Sequence, residues 1–449
     1  MSKQKIQLSD HFTYPRLLRF VLPAVGTMLF TSIYGIVDGL CVSNFVGKTA
    51  FAAVNLIMPL PQLLATIGFM LGTGGSAIVG ITLGEGDQKK ADRYFTLFLL
   101  AALVSVSVLA VLGIVFLRPI AVLLGAKGEL LDYAVRYGRI LMVSLPTFAL
   151  QNMFQSFFVT AEKPHLGFWF TVGAGCTNMV LDVLMVGIWG WGVEGAAIAT
   201  FISQLVGGVL PVFYFIDRSN SSRLHLCKTS FYSKVLRDAC INGSSELMTN
   251  LSMSLVNILY NYQLLRLAGE NGVAAYGVIM YAAFLFVAVF VGYAVGSAPI
   301  VSFHYGARNH AEVHNLYRKS LRLIAVVAVT LTLASMFIIP CVARVFVGYD
   351  AELLALTSRA FRLYALSFLI MGFNVYASSF FTALGDGVTS ALISFLRTLA
   401  FQVIAILLLP LLLGIDGIWL AVTAAELAAL VVSAAMLLTK DKVFHYRKV

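Results

Sequence analysis

The sequence contains few charged residues for its length. Of its 449 residues only 12% are Asp, Glu, Lys or Arg, whereas 59% are hydrophobic and the mean hydropathy is +0.89. Because soluble domains carry about 25% charged residues, this composition excludes an ordinary soluble enzyme and a disordered protein. A helix crosses a bilayer with about 20 mostly apolar residues, and such runs recur along the chain. The sequence therefore predicts a protein with many transmembrane helices.

The chain also lacks the short motifs of common enzyme and metal sites. It has no GxxxxGK[ST] loop for ATP, no HExxH zinc motif and no GxSxG nucleophile elbow. Its five cysteines are scattered and include no CxxC pair, so they predict neither a metal site nor a disulfide framework. We therefore expect a protein that is not an enzyme and binds no cofactor.

Hydrophobic runs predict twelve transmembrane helices, so the expected fold class is all-α integral membrane. The first run contains Asp38 and lacks a small-residue cleavage site, which favours a retained span over a signal peptide. The predicted spans are 17–46, 51–83, 94–117, 136–160, 166–189, 193–216, 235–264, 273–303, 321–347, 358–384, 389–413 and 417–438.

The distribution of basic residues predicts the orientation of these spans. The two termini and the loops that follow even-numbered spans contain 21 of the 31 Lys and Arg residues. By the positive-inside rule, both termini are expected in the cytoplasm. The same rule explains the net charge of +10 without a nucleic-acid partner.

The two halves of the chain resemble each other at one constant offset. Four landmarks recur 222 positions later: 52–58 at 274–280, Gly84 at Gly306, 158–161 at 380–383, and 192–195 at 414–417. Each half has six spans, so both copies have the same orientation and a pseudo-twofold axis along the membrane normal. We expect an N-terminal six-helix bundle (1–216), a cytoplasmic linker (217–234) and a C-terminal bundle (235–449) around a central cleft. A duplication with structural consequences only is the alternative.

Polar residues inside the first bundle predict a cation site. A carboxylate near the middle of a bilayer costs about 2.5–3.5 kcal/mol on insertion scales. Asp38, Asp182 and Thr200 fall on three spans, roughly 10–14 Å below the outer surface by helical rise, and Asn178 precedes Asp182 by four residues on the same helix face. Their oxygen atoms suit a hard cation such as Na⁺, and two close carboxylates raise one pKa enough to hold a proton. Interhelical hydrogen bonding alone is the alternative.

The second bundle lacks this set. At the repeat offset Asn178, Asp182 and Thr200 become Ala400, Ile404 and Val422. We therefore expect cation coupling to reside in the N-terminal bundle alone. Pro23 interrupts the helix that carries Asp38, so a bend there is a candidate hinge, with a static kink as the alternative.

Other polar residues predict a substrate surface in the second bundle. Glu246, Asn250, Asn257 and Asn261 fall within a sector of about 60° on one helix. Asn374 lies in the tenth span, and these five residues are our candidate lining of a substrate cleft, with interhelical hydrogen bonding as the alternative. Arg397 and Glu426 lie at compatible depths, and we expect them to form a structural pair.

Taken together, these features resemble the multidrug and toxic compound extrusion (MATE) family. The resemblance is carried by Pro23 and Asp38, by Asn178-x-x-x-Asp182, by Thr200, and by Gly72-Thr-Gly74 and Gly192-Val-Glu-Gly195. It extends over essentially the whole chain and is nearest the bacterial MepA-like and DinF-like exporters. One branch of the family also uses an acid in the tenth span, where this chain has Asn374.

The resemblance implies a secondary antiporter in the bacterial inner membrane. It implies export of amphipathic or cationic compounds against inward Na⁺ or H⁺, cation-binding roles for Asp38, Asn178, Asp182 and Thr200, and bending at Pro23. We expect small-molecule substrates and the lipid bilayer as partners, and a monomer. A flippase for lipid-linked oligosaccharide or peptidoglycan precursors, from the same superfamily, is the alternative.

Overall fold

The computed structural model describes residues 6–46, 48–348 and 350–447, except for the side chains at 36, 38–44, 48, 51, 340, 342, 345 and 346. All regular elements in this part of the chain are helices. The first half contains α1 (Tyr14–Phe45), α2 (Lys48–Ile57), α3 (Pro59–Gly84), α4 (Gln88–Leu123), α5 (Gly128–Thr160), α6 (Pro164–Asp182), a π-helical segment (Val183–Ile188), α7 (Gly192–Gly208) and α8 (Leu210–Ile216). The second half contains α9 (Ser233–Gly306), α10 (His310–Val347), α11 (Ala351–Ala365), α12 (Phe368–Ala383), α13 (Gly387–Phe395), a π-helical segment (Leu396–Ala400), α14 (Phe401–Leu413), α15 (Ile415–Thr439) and α16 (Asp441–Phe444).

These helices form the twelve expected spans. Nine segments of the described chain are long and apolar enough to cross a membrane, and the bent pair α11–α12 makes a tenth. The 74-residue α9 provides two spans, because it turns at Gly269 (φ +61). The reversal is shown by the Tyr276 hydroxyl, which donates a 2.6 Å hydrogen bond to Asn257 nineteen residues earlier. The 33-residue α5 is the twelfth span. The all-α membrane fold is therefore confirmed.

Two predicted boundaries are wrong for local reasons. The expected span 51–83 is two helices, α2 and α3, because Pro59 and Pro61 lack the N–H groups that a continuous helix needs. The third span begins at Gln88 rather than near 94, because the Asp87 carboxylate caps the helix by accepting from the Lys90 N–H at 3.0 Å.

The repeat is visible in the backbone. Gly192 and Gly414 both have positive φ, +60° and +58°. At the same offset Asp87 caps α4 and Asn309 caps α10, each side chain accepting from a backbone N–H three residues later. A segment without helix, residues 217–232, joins the two six-helix bundles.

The described ends of the chain lie on one side of the molecule, since His11 contacts Glu312 and Tyr446 contacts His314 on the same helix. We call this side the terminal face. There the bundles are closed against each other by backbone contacts at glycines. Gly84 packs against the Phe303 carbonyl, and its repeat equivalent Gly306 packs against the Ile81 carbonyl. Gly243 packs against the Met70 carbonyl in the same way. Because a Cβ at any of these positions would meet backbone atoms, only glycine permits this closure.

The N-terminal segment reinforces the terminal face. The Leu8 N–H donates to Glu162 of the first bundle at 2.8 Å, and the Phe12 N–H donates to Glu312 of the second bundle at 2.9 Å. His11 contacts Glu312 at 2.6 Å, and Lys319 donates to the Phe12 carbonyl at 2.6 Å. Residues 8–12 therefore form a strap that connects the two bundles.

Candidate cation site and central cleft

Asn178 and Thr200 come together inside the first bundle. The Asn178 amide nitrogen lies 3.5 Å from the Thr200 hydroxyl, joining α6 to α7. Asn178 is buried, and its Oδ1 has no hydrogen-bond partner among the described residues. A buried carbonyl oxygen with unused lone pairs is costly unless something donates to it or it ligates a cation. This oxygen is therefore available to a cation.

Asp182 lies one helical turn beyond Asn178 on the same helix. Its side chain is fully buried, and it stands directly before the π-helical segment Val183–Ile188. Such wide turns are frequent at functional sites, because the extra residue redirects side chains and backbone carbonyls. Asn178 and Asp182 thus lie on the same face of α6, one helical turn apart, as the i, i+4 spacing predicts.

The fourth predicted residue, Asp38, has its side chain outside the described residues. The backbone of α1 still locates it, because Gly175 on α6 contacts Phe30 and Tyr34 of α1. Gly187 in the same way contacts Phe45. These two contacts lie on either side of residue 38 along α1. The α1 backbone at residue 38 is therefore level with the helical turn between Asn178 and Asp182 on α6.

The candidate site opens into a cavity between the two bundles, which we call the central cleft. Its volume is about 520 Å³. The first bundle contributes Tyr34, Asn152, Asn178, Thr200 and Gln204, and the second contributes Asn250, Asn257 and Phe284.

Pro23 lies in α1 on the terminal-face side of the cleft. The helix continues through it, and its carbonyl accepts a 2.9 Å hydrogen bond from the Thr27 hydroxyl. Thr31, one turn further, donates to the Thr27 carbonyl and lines the central cleft. Pro23 therefore lies in the same helix as Thr31, which forms part of the cleft wall, and as Asp38.

A second cavity of about 230 Å³, which we call the C-terminal chamber, is lined mostly by the second bundle, with Thr73, Ser76 and Ser156 contributed by the first. Arg397 and Glu426 line it and form an ion pair of 3.4 Å between Nη1 and Oε1, which confirms the expected pairing. Arg397 lies in the π-helical segment Leu396–Ala400. Glu246 lines the same chamber, within electrostatic range of Arg397.

Asn374 holds the carboxylate of this pair in place. Its amide nitrogen donates to Glu426 Oε2 at 2.7 Å and to the Glu426 carbonyl at 2.9 Å. Its own oxygen accepts from the Ser433 hydroxyl at 2.9 Å. Asn374 is completely buried behind the chamber and does not line it. Its position is that of a support for Glu426 rather than of a substrate contact.

The polar stripe on α9 divides between the two cavities. Glu246 lines the chamber, Asn250 lines the cleft, and Asn257 lines both. Asn261 is exposed and lines neither, because it lies two turns before the reversal at Gly269, beyond the ends of both cavities.

Sequence reasoning missed the tyrosines of the chamber. The Tyr260 and Tyr276 rings stack with centroids 4.9 Å apart, and Tyr364 contributes to the same wall. Only the reversal at Gly269 brings the two rings together, and no periodicity within one helix signals it. Buried aromatic faces of this kind bind flat or cationic groups.

Comparisons with known proteins agree with this architecture. The MatE family model matches two segments of equal length, 23–184 and 247–408, which follow the internal repeat. The chain is 21% identical over 432 residues to the multidrug export protein MepA of Staphylococcus saprophyticus, covering 95% of this chain and 94% of that protein.

Solved structures share the fold at low sequence identity. One is described as the outward-facing conformation of a multidrug resistance MATE family transporter, with a TM-score of 0.92, 22% identity and 99% of each chain covered. Another is a MOP superfamily transporter from Pyrococcus furiosus, described as having a binding pocket of reverse polarity that suggests a different function, with a TM-score of 0.90, 22% identity and 100% of each chain covered.

Proposed function

This chain belongs to the MatE family of membrane transporters, and we propose that it is a multidrug exporter driven by inward Na⁺ or H⁺. In this proposal it moves amphipathic or cationic compounds out of the cell by alternating access. The terminal face is the cytoplasmic face of the bacterial inner membrane, with both chain ends inside. The name of the MepA relative supports the export of drugs.

One observation carries the proposal: the candidate cation site opens into the cleft between the bundles. Asn178 and Thr200 belong both to the oxygen cluster and to the cleft wall. A cation bound there and a substrate in the cleft therefore share one wall, and each changes the free energy of the other's binding. A site elsewhere in the fold would lack this connection.

The closed terminal face defines the step of the cycle that the structure represents. In the proposed cycle the closed terminal face leaves the cleft open to the outside, so that a cation meets Asn178 and Thr200 in the cleft wall, with Asp182 buried one turn beyond Asn178. Cation binding in this state favours substrate release, and reopening of the terminal face then delivers the cation to the cytoplasm. The strap from Leu8 to Phe12 has to leave Glu162 or Glu312 for that reopening to occur.

The lining of the two cavities favours amphipathic substrates over lipid-linked pyrophosphates. A flippase needs an excess of positive charge in its cleft, because pyrophosphate is strongly anionic. Among the described lining residues of both cavities, Arg397 is the single basic side chain, and Glu426 and Glu246 accompany it. Amide, hydroxyl and aromatic groups make up most of the remaining polar surface.

Efflux of a fluorescent cation from right-side-out vesicles tests the proposal. Na⁺ and pH gradients are imposed separately, so that the driving ion is identified by the gradient that accelerates efflux. We expect Asp38→Asn and Asp182→Asn to abolish the acceleration by either gradient. Full gradient-driven efflux by either variant, at equal protein abundance, would show that these carboxylates are not the coupling groups.

A further inference from the structure

A separate cavity lies on the outside of the first bundle, close to the terminal face. We call it the perimeter groove, and its volume is about 470 Å³. Its polar lining comes from three helices: Arg19 of α1, Lys163, His165 and Trp169 at the start of α6, and Tyr214 of α8. It shares no residue with the central cleft or the C-terminal chamber.

The groove borders the surface that faces the acyl chains. Leu22 on α1 is 58% exposed and Phe213 on α8 is 64% exposed, next to Arg19 and Tyr214 in sequence. Large apolar side chains with this exposure in a membrane protein contact lipid. Trp169, 64% exposed, is placed where tryptophan is enriched, at the boundary between acyl chains and headgroups.

The charge of the groove is basic. Arg19 and Lys163 are cationic, and His165 adds two further ring nitrogens. Lys163 donates to the Ser221 hydroxyl at 2.6 Å. Glu162 also lines the groove, but its carboxylate is engaged by the Arg223 guanidinium at 2.6 Å and by the Leu8 N–H.

From this combination we infer that the perimeter groove binds the headgroup of an anionic phospholipid. The phosphodiester contacts Arg19 and Lys163, the glycerol region lies against Trp169 and Tyr214, and the acyl chains follow the apolar surface of Leu22 and Phe213. Basic pockets between transmembrane helices on the cytoplasmic side are suited to such headgroups, and each basic residue there favours binding about fivefold. This inference goes beyond drug export and requires only that the groove lies at the membrane interface.

Tryptophan fluorescence measures this binding without transport. The purified chain is reconstituted in phosphatidylcholine vesicles that contain increasing fractions of brominated phosphatidylglycerol or, separately, brominated phosphatidylcholine. Trp169 is one of four tryptophans, and subtracting the quenching of Trp169→Phe isolates its signal. We expect half-quenching of Trp169 at a several-fold lower fraction of the anionic lipid than of the neutral one.

Variants show whether the groove itself is responsible. We expect Arg19→Gln to raise the half-quenching fraction of phosphatidylglycerol about fivefold, and Arg19→Lys to preserve it. Lys163→Gln serves as a second test, should Arg19→Gln fold poorly. Arg93→Gln is the matched control, because Arg93 is an exposed arginine at the start of α4, outside the groove.

Three results would overturn the inference. They are identical quenching by the two lipids, equal losses in Arg19→Gln and Arg93→Gln, and displacement of the brominated lipid by millimolar glycerol phosphate. The last result would identify a site for free phosphate compounds rather than for a lipid.

Discussion

The fifth and eleventh spans occupy equivalent places in the two bundles, and each contains one π-helical segment. In the first bundle Asp182 directly precedes Val183–Ile188 and lies one helical turn beyond Asn178, which contacts Thr200. In the second bundle Arg397 lies within Leu396–Ala400 and is paired with Glu426. The two π-helical segments lie at different levels of their spans, since Leu396–Ala400 corresponds to 174–178 at the repeat offset. One accompanies an oxygen cluster and the other an internal ion pair.

From this difference we propose separate roles for the two bundles. In the proposed function the oxygen cluster, which borders the cleft, exchanges a cation with the solution, whereas the pair of Arg397 and Glu426 keeps its charges inside the protein. We therefore propose that the first bundle carries ion coupling and that the second shapes the substrate chamber.

The largest expected effect on stability comes from breaking the ion pair of the second bundle. Arg397→Gln leaves Glu426 buried without its cation, and we expect a loss of about 3–5 kcal/mol in the free energy of unfolding. Asn178→Ala in the first bundle removes one long hydrogen bond and is expected to cost less than about 1.5 kcal/mol. Unfolding in mixed micelles of increasing sodium dodecyl sulfate measures both. Equal losses of unfolding free energy in Arg397→Gln and Asn178→Ala would contradict a structural role confined to the second bundle.

We expect the glycine contacts of the two halves to stabilise the closed terminal face equally. Gly84→Ala and Gly306→Ala each insert a methyl group into backbone of the opposite bundle, which we expect to disfavour the closed state by about 1–3 kcal/mol. Spin labels at Lys89 and Ala311 report the separation of the bundles. Gly277→Ala is the control, because nothing lies within 4 Å of its added Cβ. A change in the spin-label distance for only one of the two variants would show that the two glycines do not contribute equally to closure.

A smaller effect is expected at the boundary between cleft and chamber. Tyr276→Phe removes the hydrogen bond to Asn257 while keeping the stacked ring, so we expect about 1 kcal/mol weaker binding of an aromatic cation. Equilibrium binding of a fluorescent substrate to the purified chain measures it. Gradient dependence of transport should remain as in the parent chain, and its loss would place coupling in the second bundle.

The smallest effect concerns Asp386, which lies in the loop before α13. Burial alone would raise the pKa of this carboxyl, but hydrogen bonds from Lys440 and Thr389 more than offset it, so its pKa is lowered. A lowered pKa stabilises the fold above the ordinary value of 3.8, and this contribution disappears as the pH falls through the folded-state value. We expect Asp386→Asn to cost at most about 1 kcal/mol at pH 7, because Lys440 is partly exposed, and nothing at a pH below the folded-state pKa. A cost that is equal at both pH values would exclude the ion pair as its source.

The sequence alone predicted the fold well because its signals are local or repeated. Hydrophobic runs identified the spans, and the constant offset between Gly84 and Gly306 identified two bundles. The pairing of Arg397 with Glu426 followed from depth and charge. Contacts that depend on the reversal at Gly269, such as Tyr276 with Asn257, carry no periodic signal.

Other parts of the site required packing information. Asn374 has the polarity of a substrate contact but supports Glu426 from behind the chamber, and Asn261 shares the stripe of Asn257 but lies beyond the cavities. The strap from Leu8 to Phe12 joins residues about 300 positions apart, which no local pattern indicates. The side-chain position of Asp38 stays a prediction.

Cation binding by the purified chain tests the central claim most directly. Na⁺ binding is measured with the radioactive ion, and proton release with a pH indicator, for the parent chain, Asp182→Asn and Glu246→Gln. The account predicts that Asp182→Asn loses the cation while Glu246→Gln retains it. Retention by Asp182→Asn together with loss by Glu246→Gln would place the coupling site in the second bundle and contradict the account.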